Sequence, residues 1–421
     1  MKTIKKIKNR NVEIIAPPSK AHTLRAMAIA ALADGQTVIN RPLLAEDQHN
    51  MLGCLKQLGI DVKLKDNQVI INGCGGKFEP TGMDLNVGES GVTMNFLTAA
   101  ACLSNKPVVL TGSARIQQRP VDQLVSGMRQ LGCKIDYLKN DGFLPIKIYG
   151  GGIKGGNAKM KGSKTSQYFS ALVISAPYSQ NDCLLECADE MTERPYFDIS
   201  LQMMSDFGVN AVNKNYKEII IGGGKKYSAR EITIEGDYSS ASFFFLAVAI
   251  CRSQITIKGL YRNSKQGDKV FVDLLTKMGC RTDYLENSIR LNGQELIAIE
   301  QDMSNIPDLV PPIAIAAAFA KGKSRFTNIG HLRFKECDRL AVVADELNKM
   351  GIKAFCDDSS LTVEGNPDGA KGAIIDPHND HRIAMSFAAA GLVTGNQQID
   401  NEKCVGKSFP DFWERFEVFY E

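Results

Sequence analysis

A helix-ending glycine recurs along the chain at nearly constant intervals. The segments CLKQLGIDV, GMRQLGCKI, QMMSDFGVNA, LLTKMGCRT and ELNKMGIKA each finish a helical pattern at a glycine. Successive glycines are 73, 76, 71 and 72 residues apart. Glycine at this place predicts a helix that ends in the left-handed conformation before a strand begins. A period of this length predicts a supersecondary unit repeated along the chain. The glycines concerned are Gly59, Gly132, Gly208, Gly279 and Gly351.

Each repeat also contains an alanine-rich helix that is apolar nearly all round, as in AMAIAALADGQTVI and FFLAVAICRSQITIKG. Such a helix is expected in an interior, with the sheets outside it. The unit is interpreted as helix, strand, helix, strand, strand, and six units fit the 421 residues if one is split across the termini. The expected fold class is α/β with two closed bodies of three units, and an open solenoid is the alternative.

Two short segments of small residues indicate where the chain passes between domains. The first is APPSK, with the stiff pair Pro17–Pro18, and the second is EGDYSSASFFF near Gly236. Two crossings predict that one domain is inserted in the other. We expect domain A at 1–16 plus 236–421 and domain B at 17–235, with the active-site cleft between them.

Composition excludes several classes of function. The 50 basic and 47 acidic residues leave a net charge of +3, which provides no electrostatic footprint for nucleic acid. No run of eighteen apolar residues is present, so we expect no membrane span. The eleven cysteines contain no CxxC pair, which favours buried reduced thiols in the cytoplasm over a disulfide framework or a metal site.

Polar and basic residues mark the starts of the apolar helices. The first opens with Lys20, Thr23 and Arg25, and others open with GESGVT, GSKTSQ, NIPD and HNDHR. The N-terminus of a helix attracts anions because its backbone N–H groups and its dipole point there. Each segment alone is compatible with a cap or a polar turn, but five on equivalent ends predict a cleft for anionic substrates. The basic segments TGSARIQQRP, HLRFKECDR and VGKSFPDF fit phosphate and carboxylate groups.

Taken together, these segments resemble the 5-enolpyruvylshikimate-3-phosphate synthase family of enolpyruvyltransferases. PPSKAHTLRA, GESGVTMNF, LTGSARIQQRPVDQL, TSQYFSALVISAP, LRFKECDRL, NDHRIAMSF and KSFPDF have counterparts there, in the same order and over essentially the whole chain. The resemblance implies a two-domain inside-out α/β barrel built from six βαβαββ-type units, which closes around its substrates. It implies transfer of the enolpyruvyl group of phosphoenolpyruvate to the 5-hydroxyl of shikimate 3-phosphate, with release of phosphate, in aromatic amino acid biosynthesis. No metal or organic cofactor is implied.

The resemblance also implies a role for individual residues. Phosphoenolpyruvate would be held by Lys20, Gly91, Arg115, Gln167, Arg339, Arg382 and Lys407. The acceptor would be held by Arg25, Thr165, Ser166, Gln167, Asp308 and Lys335. Asp308 would be the base at the attacking hydroxyl, while Glu336, with His381 and Lys20, would handle the proton at the enol carbon.

Three positions depart from the family pattern. Ala21 and Glu193 stand where serines commonly contact the acceptor, and Asn95 replaces an arginine in the glycine loop. These changes leave open a related enolpyruvyltransferase that acts on another phosphorylated acceptor, such as a nucleotide. A non-catalytic anion-binding relative is a further alternative, against which the intact Asp308 and Glu336 argue. Otherwise the expected partners are the two substrates alone, without nucleic acid or membrane, and the enzyme is expected to be a monomer.

Overall fold

The computed structural model describes residues 1–8 and 10–421. They form two compact units, which we name unit A (Met1–Ser19 with Glu235–Glu421) and unit B (Lys20–Ile234). The sequence-based boundaries, 16/17 and 235/236, lie within a few residues of these limits.

Twelve α-helices lie in the described part of the chain. They are α1 (Lys20–Leu32), α2 (Glu46–Gln57), α3 (Gly91–Ala100), α4 (Asp122–Gln130), α5 (Gln167–Ser175), α6 (Arg194–Asp206), α7 (Tyr238–Cys251), α8 (Val270–Lys277), α9 (Val310–Ala318), α10 (Arg339–Lys349), α11 (His381–Thr394) and α12 (Phe412–Phe416).

The same residues contain short strands throughout. They are β1 (Lys2–Ile4), β2 (Asn11–Ile15), β3 (Asp34–Asn40), β4 (Asp61–Lys65), β5 (Gln68–Cys74), β6 (Asp84–Asn86), β7 (Val108–Thr111), β8 (Ile135–Tyr137), β9 (Ile146–Ile148), β10 (Gly156–Met160), β11 (Cys183–Cys187), β12 (Ala211–Lys214), β13 (Glu218–Ile221), β14 (Glu231–Thr233), β15 (Gln254–Lys258), β16 (Arg281–Tyr284), β17 (Ser288–Asn292), β18 (Leu296–Ile297), β19 (Glu300–Asp302), β20 (Ala320–Thr327), β21 (Lys353–Cys356), β22 (Leu361–Gly365), β23 (Ile374–Ile375) and β24 (Gln397–Ile399).

Over residues 1–8 and 10–421 these strands form six sheets, three in each unit. Unit B contains the sheets β14-β3-β5-β4, β6-β7-β9-β8 and β10-β11-β13-β12. Unit A contains β16-β17-β15-β2, β18-β20-β22-β21 with β19 beside β20, and β1-β24-β23. The last sheet joins the two ends of the chain, since Lys2 pairs with Ile399.

The strand that precedes an apolar helix generally pairs in parallel with the strand that follows it, as β6 does with β7 around α3. Two such pairs are exchanged. Strand β2 precedes α1 but pairs with β15, which follows α7, while β14 precedes α7 but pairs with β3, which follows α1. The chain therefore passes between the units twice. At the passage the Ser19 N–H donates to the Glu235 carbonyl (2.8 Å) and the Asp237 N–H to the Pro17 carbonyl (2.8 Å).

The apolar helices are buried, as predicted. In unit B, α1, α3 and α5 pack against one another, and in unit A, α7, α9 and α11 do the same. Every residue of α7 from Tyr238 to Ile250 is buried. Each unit has its own hydrophobic core built around its three helices. Because each large apolar side chain contributes about 1.5–3 kcal/mol when fully buried, the burial of these helices adds to the driving force for folding.

The predicted left-handed helix ends are confirmed at all five glycines, whose φ angles run from +81° to +118°. In α2, the Gly59 N–H donates to the Lys56 carbonyl (3.0 Å) and the Ile60 N–H to the Leu55 carbonyl (3.0 Å). The same pair of bonds closes α4, α6, α8 and α10. This pattern satisfies carbonyls that the helix end would otherwise leave without a partner.

Two glycines of the same helical segment predict opposite effects of one substitution. Gly59 has φ +89°, which residues with a Cβ rarely adopt. A Cβ at this position would also lie 2.4 Å from the Glu79 carbonyl oxygen. We expect Gly59→Ala to lower the free energy of unfolding by more than about 1 kcal/mol. Gly53, exposed within α2, has open space, so Gly53→Ala should raise that free energy by up to about 1 kcal/mol. Urea unfolding of both variants measures the difference, and equal shifts would contradict the assignment.

Candidate active site

The starts of α10 and α11 and the turn before α9 bring predicted residues of unit A into direct contact. Arg339, the first residue of α10, is 1% exposed. Its Nε donates to Asp380 (2.8 Å), Nη1 to Asp308 (3.0 Å) and Nη2 to Glu336 (2.9 Å). These bonds use three of the five N–H groups of the guanidinium. One buried arginine therefore holds three carboxylates in fixed positions.

Other cations complete this cluster. Arg382 Nη2 lies 2.7 Å from the second oxygen of Asp308, and Nη1 of the same arginine donates to Ser239. Lys407 Nζ lies 3.3 Å from Glu336. Lys335 is buried, and its charge acts on Asp308. We name Asp308, Lys335, Glu336, Arg339, Asp380, Arg382 and Lys407 the arginine cluster; it holds three acids and four bases.

The electrostatics of the arginine cluster favour the ionised forms of Asp308 and Arg339. Burial by itself would raise the pKa of the Asp308 carboxyl, but the charges of Arg382, Arg339 and Lys335 outweigh burial and hold that pKa below its ordinary value of 3.8. Burial would likewise lower the pKa of Arg339, but its carboxylate neighbours, led by Asp380, raise that pKa well above its ordinary value. Asp308 and Arg339 are therefore an ion pair at neutral pH.

Helix capping explains how the sequence builds this cluster. Asp380 is the N-cap of α11, and its Oδ1 accepts the Arg382 N–H (2.9 Å) while its Oδ2 accepts from Arg339. Asp338 caps α10 by accepting the Ala341 N–H (3.2 Å). His381 is the buried first residue of α11, so the same cap fixes its backbone. Asp380 was not among the predicted site residues, although an aspartate before an apolar helix is an N-cap signal.

In unit B, Lys20 begins α1 and forms an ion pair with Asp47 (2.6 Å). The Asp47 side chain is almost completely buried in the first turn of α2. A buried carboxylate fixes the direction of a lysine that would otherwise be flexible. Asp47 was also missed in the sequence, because nothing in the segment AEDQHN shows which cation it meets.

Gly91 begins α3, whose N-cap Ser90 accepts the Thr93 N–H (3.3 Å). A Cβ on Gly91 would lie 2.6 Å from both terminal nitrogens of Arg119, so the guanidinium rests directly against this glycine. Arg119 was not among the predicted residues. The predicted Arg115 donates from Nη1 to Gln118 Oε1 (3.3 Å) in the same turn.

Gln167 begins α5, and its side-chain oxygen accepts from Asn95 Nδ2 of α3 (2.9 Å). Asn95 is buried and is one of the three departures from the family pattern. The bond orients the Gln167 amide so that its nitrogen points away from Asn95. Asn95 therefore positions a residue that is predicted to bind substrate.

Arg25 of α1 makes three hydrogen bonds within unit B. Its Nε donates to Ser200 Oγ (2.7 Å), Nη1 to the Ala21 carbonyl (3.0 Å) and Nη2 to the Tyr196 carbonyl (2.8 Å). The guanidinium carbon lies 5.4 Å from the centre of the Phe96 ring. Burial lowers the pKa of Arg25 to about 10, although Tyr196 and Glu193 oppose that change. Arg25 therefore remains a cation in a fixed orientation at neutral pH.

The acceptor residues Thr165 and Ser166 both bond to Glu193. Thr165 Oγ1 donates to Glu193 Oε2 (2.5 Å), and Ser166 Oγ donates to the Glu193 carbonyl (2.9 Å). Glu193 precedes α6 in a left-handed conformation, with φ 55° and ψ 32°, and is 2% exposed. Glu193, one of the three departures from the family pattern, therefore lies in contact with two predicted binding residues.

Some kinds of site are not found. Within residues 1–8 and 10–421, no three His, Cys, Asp or Glu side chains are grouped so as to hold a metal ion. In the same part of the chain, every helix is too short or too polar to cross a membrane. None of the eleven cysteines, all of which the structure describes, forms a disulfide.

Known proteins resemble this chain over its whole length. The family model for EPSP synthase (3-phosphoshikimate 1-carboxyvinyltransferase) matches residues 4–416. A 3-phosphoshikimate 1-carboxyvinyltransferase of Methanoregula boonei is 39% identical over 405 residues, which are 96% of each chain. One of Histophilus somni is 39% identical, covering 99% of this chain and 98% of that one. A solved EPSP synthase of Acinetobacter baumannii has a TM-score of 0.82 at 26% identity, covering 98% of this chain and 96% of that one. The chain belongs to the EPSP synthase (3-phosphoshikimate 1-carboxyvinyltransferase) family.

Proposed function

We propose that the protein transfers the enolpyruvyl group of phosphoenolpyruvate to the 5-hydroxyl of shikimate 3-phosphate and releases phosphate. The observation that carries this proposal is the arginine cluster, in which three carboxylates and four cations meet around Arg339. Such a cluster suits a reaction that needs both proton transfer and the binding of anions. Membership of the family and the names of the relatives support the same assignment.

The architecture that we propose is the inside-out α/β barrel with six repeated units. Three buried helices and three sheets in each unit support it. We also propose that the polar starts of the buried helices carry binding and catalytic residues, because most of the predicted site residues lie there.

Phosphoenolpyruvate presents a carboxylate and a phosphate. Arg339 and Arg382 take the carboxylate, since both already hold the carboxylate of Asp308 and a substrate carboxylate can use their remaining N–H groups. Lys20, Gly91, Gln167 and Lys407 take the phosphate. Arg119, which rests against Gly91, also binds this phosphate. Arg115 remains a phosphate-binding residue predicted from the sequence.

The acceptor is held by residues of fixed orientation. Arg25 takes its carboxylate, and the three bonds of Arg25 to unit B hold the guanidinium in place. Thr165 and Ser166 take its phosphate, while Lys335 takes a hydroxyl beside Asp308. Gln167 contacts both substrates, and Asn95 orients it.

The reaction needs two proton transfers during addition of the hydroxyl and two during elimination of phosphate. Asp308 accepts the proton of the 5-hydroxyl as the oxygen attacks C2 of phosphoenolpyruvate. Glu336, with His381 and Lys20, supplies a proton to C3, which becomes a methyl group. Glu336 then takes a proton back from that methyl group, the proton held by Asp308 passes to the departing phosphate, and the double bond between C2 and C3 is restored. Carboxylates among lysines and arginines can divide these proton transfers between them.

The low pKa of Asp308 in the unliganded protein fits this role only if substrate binding changes it. Arg382 and Arg339 are the positive charges that keep it low. When the carboxylate of phosphoenolpyruvate binds both arginines, it offsets their charge, and the pKa of Asp308 rises towards the working pH. Asp308 therefore becomes an effective base after the first substrate is bound.

The direct test of this function measures phosphate release from phosphoenolpyruvate. We expect release with shikimate 3-phosphate and none with nucleotides as acceptors. Release with a nucleotide and none with shikimate 3-phosphate would overturn the assignment. Two expectations from the sequence also remain as proposals: the enzyme is a monomer, and it works in the cytoplasm, for which the unbridged cysteines are the support.

The base is tested by Asp308→Asn. We expect turnover to fall about 10²- to 10⁴-fold, because a positioned base contributes that much. Binding of phosphoenolpyruvate should persist, since the change leaves the arginines and removes a negative charge. Steady-state turnover and the dissociation constant of phosphoenolpyruvate are the measurements, with Asp368→Asn, which removes an exposed carboxylate, as control. Near-normal turnover would exclude Asp308 as the base.

The same two variants test the electrostatics through stability. A folded-state pKa below the unfolded value stabilises the protein above about pH 4, and this stabilisation is lost as the pH falls further. Between pH 4 and 3 we expect the wild type to lose up to about 1.4 kcal/mol per pH unit more than Asp308→Asn. Urea unfolding at several pH values measures the slopes, and Asp368→Asn should follow the wild type. Parallel slopes for wild type and Asp308→Asn would contradict the lowered pKa.

The contact between Arg119 and Gly91 predicts an unequal effect of two neighbouring arginines. A charged hydrogen bond contributes about 1.5–3 kcal/mol, so Arg119→Gln should weaken phosphoenolpyruvate binding about 10- to 100-fold. Arg115→Gln should weaken it less, because Arg115 is bonded to Gln118. Titration with phosphoenolpyruvate measures both variants. The larger loss in Arg115→Gln would reverse our assignment.

A further inference from the structure

Glu193 lies where the acceptor's phosphate is to bind, and this inference rests on the function proposed above. Its carboxylate accepts the hydroxyl proton of Thr165 (2.5 Å), which is the proton that Thr165 would offer to the phosphate. The side chain is 2% exposed, and its backbone is left-handed at φ 55°. A glutamate in that conformation is strained, and such strain is often found at functional positions.

The bond from the Thr165 hydroxyl to an ionised Glu193 cannot persist when the acceptor's phosphate also needs that proton. An ionised carboxylate and a phosphate dianion carry only acceptor oxygens. The single hydroxyl proton of Thr165 cannot serve both groups. A hydroxyl carries only one proton, and the bond that Thr165 Oγ1 accepts from the Gln167 N–H (3.2 Å) adds none. When two acidic groups share one site, the usual result is that a proton is retained between them.

The charged and titratable groups around Glu193 come from three helices and the segment before one of them. Arg25 of α1 feels the charge of Glu193, as does Tyr168 of α5. Before α5, Lys164 is paired with Asp122 (3.3 Å).

On α6 itself, the Tyr196 carbonyl accepts from Arg25. Arg194 donates from Nε to the Met191 carbonyl (3.1 Å) and from Nη2 to Glu190 (2.7 Å), and its guanidinium lies 5.1 Å from the Tyr216 ring centre. Arg194, the next residue after Glu193, is therefore held by several groups at once.

We propose that Glu193 takes up one proton from solvent when the acceptor binds, and that the resulting carboxylic acid donates its O–H to the acceptor's phosphate. The Thr165 hydroxyl is then released to the phosphate as well. A neutral carboxylic acid thereby does the work of a hydroxyl donor. Glu193 makes affinity for a phosphorylated acceptor depend on pH, which a serine or threonine at this position would not do.

The test is calorimetric titration of the full-length protein with shikimate 3-phosphate at pH 8, where the phosphate is a dianion. Runs in two buffers of different ionisation enthalpy give the number of protons taken up. We expect about one proton for the wild type and about none for Glu193→Gln, whose amide can donate without a proton. From pH 7.5 to 8.5 the wild-type dissociation constant should rise about tenfold, since one proton is linked to binding. For Glu193→Gln it should rise less than about twofold.

Glu218→Gln is the matched control, because Glu218 is an exposed glutamate of unit B that is paired with Lys214 (3.1 Å). It should keep the wild-type proton uptake. Glu193→Asn is the second variant, since asparagine tolerates positive φ and carries no charge. It keeps the test available if Glu193→Gln does not fold.

Each outcome decides the proposal. Proton uptake near zero in the wild type, or wild-type uptake retained in the uncharged variants, overturns the role of Glu193. If phosphate release with shikimate 3-phosphate is normal in that case, the proposed function still stands. If the wild type neither binds nor turns over shikimate 3-phosphate, both the proposed function and this inference fail.

Discussion

Burial on every side of the six apolar helices is the constraint on which the rest of the structure depends. A helix such as α7, apolar all round, cannot be covered by a single neighbour, so each packs against the two others of its unit and against strands. At the first turn of such a helix, polar groups gain hydrogen bonds from backbone N–H groups that have no partner within the helix. Most of the predicted site residues therefore stand at or near helix starts.

A buried cation at such a place must be paired in the unliganded protein, and Arg339 is paired three times. Removing one partner of a buried pair is strongly destabilising. An anionic substrate that binds the remaining N–H groups of these guanidinium groups leaves the existing pairs in place. Preorganised charge of this kind needs no rearrangement during the reaction.

Features that depend on local physics were predictable from the sequence. The left-handed glycines follow from the bonds of one helix end, and the burial of the alanine-rich helices follows from their composition. The exchange of β2 and β14 was not predictable, because strand partners distant in sequence leave no local signal. Asp47 and Arg119 were missed for the same reason: each is recognised only by its contact, with Lys20 and with Gly91.

Asn95 and Glu193, two departures that look independent in the sequence, are linked in the structure through Gln167 and Thr165. Asn95 Nδ2 donates to Gln167 Oε1 (2.9 Å), the Gln167 N–H donates to Thr165 Oγ1 (3.2 Å), and Thr165 Oγ1 donates to Glu193 Oε2 (2.5 Å). The last two bonds form one chain that ends on the Glu193 carboxylate, so a change of charge there alters how strongly the Thr165 hydroxyl and the Gln167 N–H are held. The Asn95 bond is made by the side-chain amide of Gln167, which is a separate group of the same residue. Changes at Asn95 and at Glu193 therefore meet at Gln167, and residues joined in this way do not act additively.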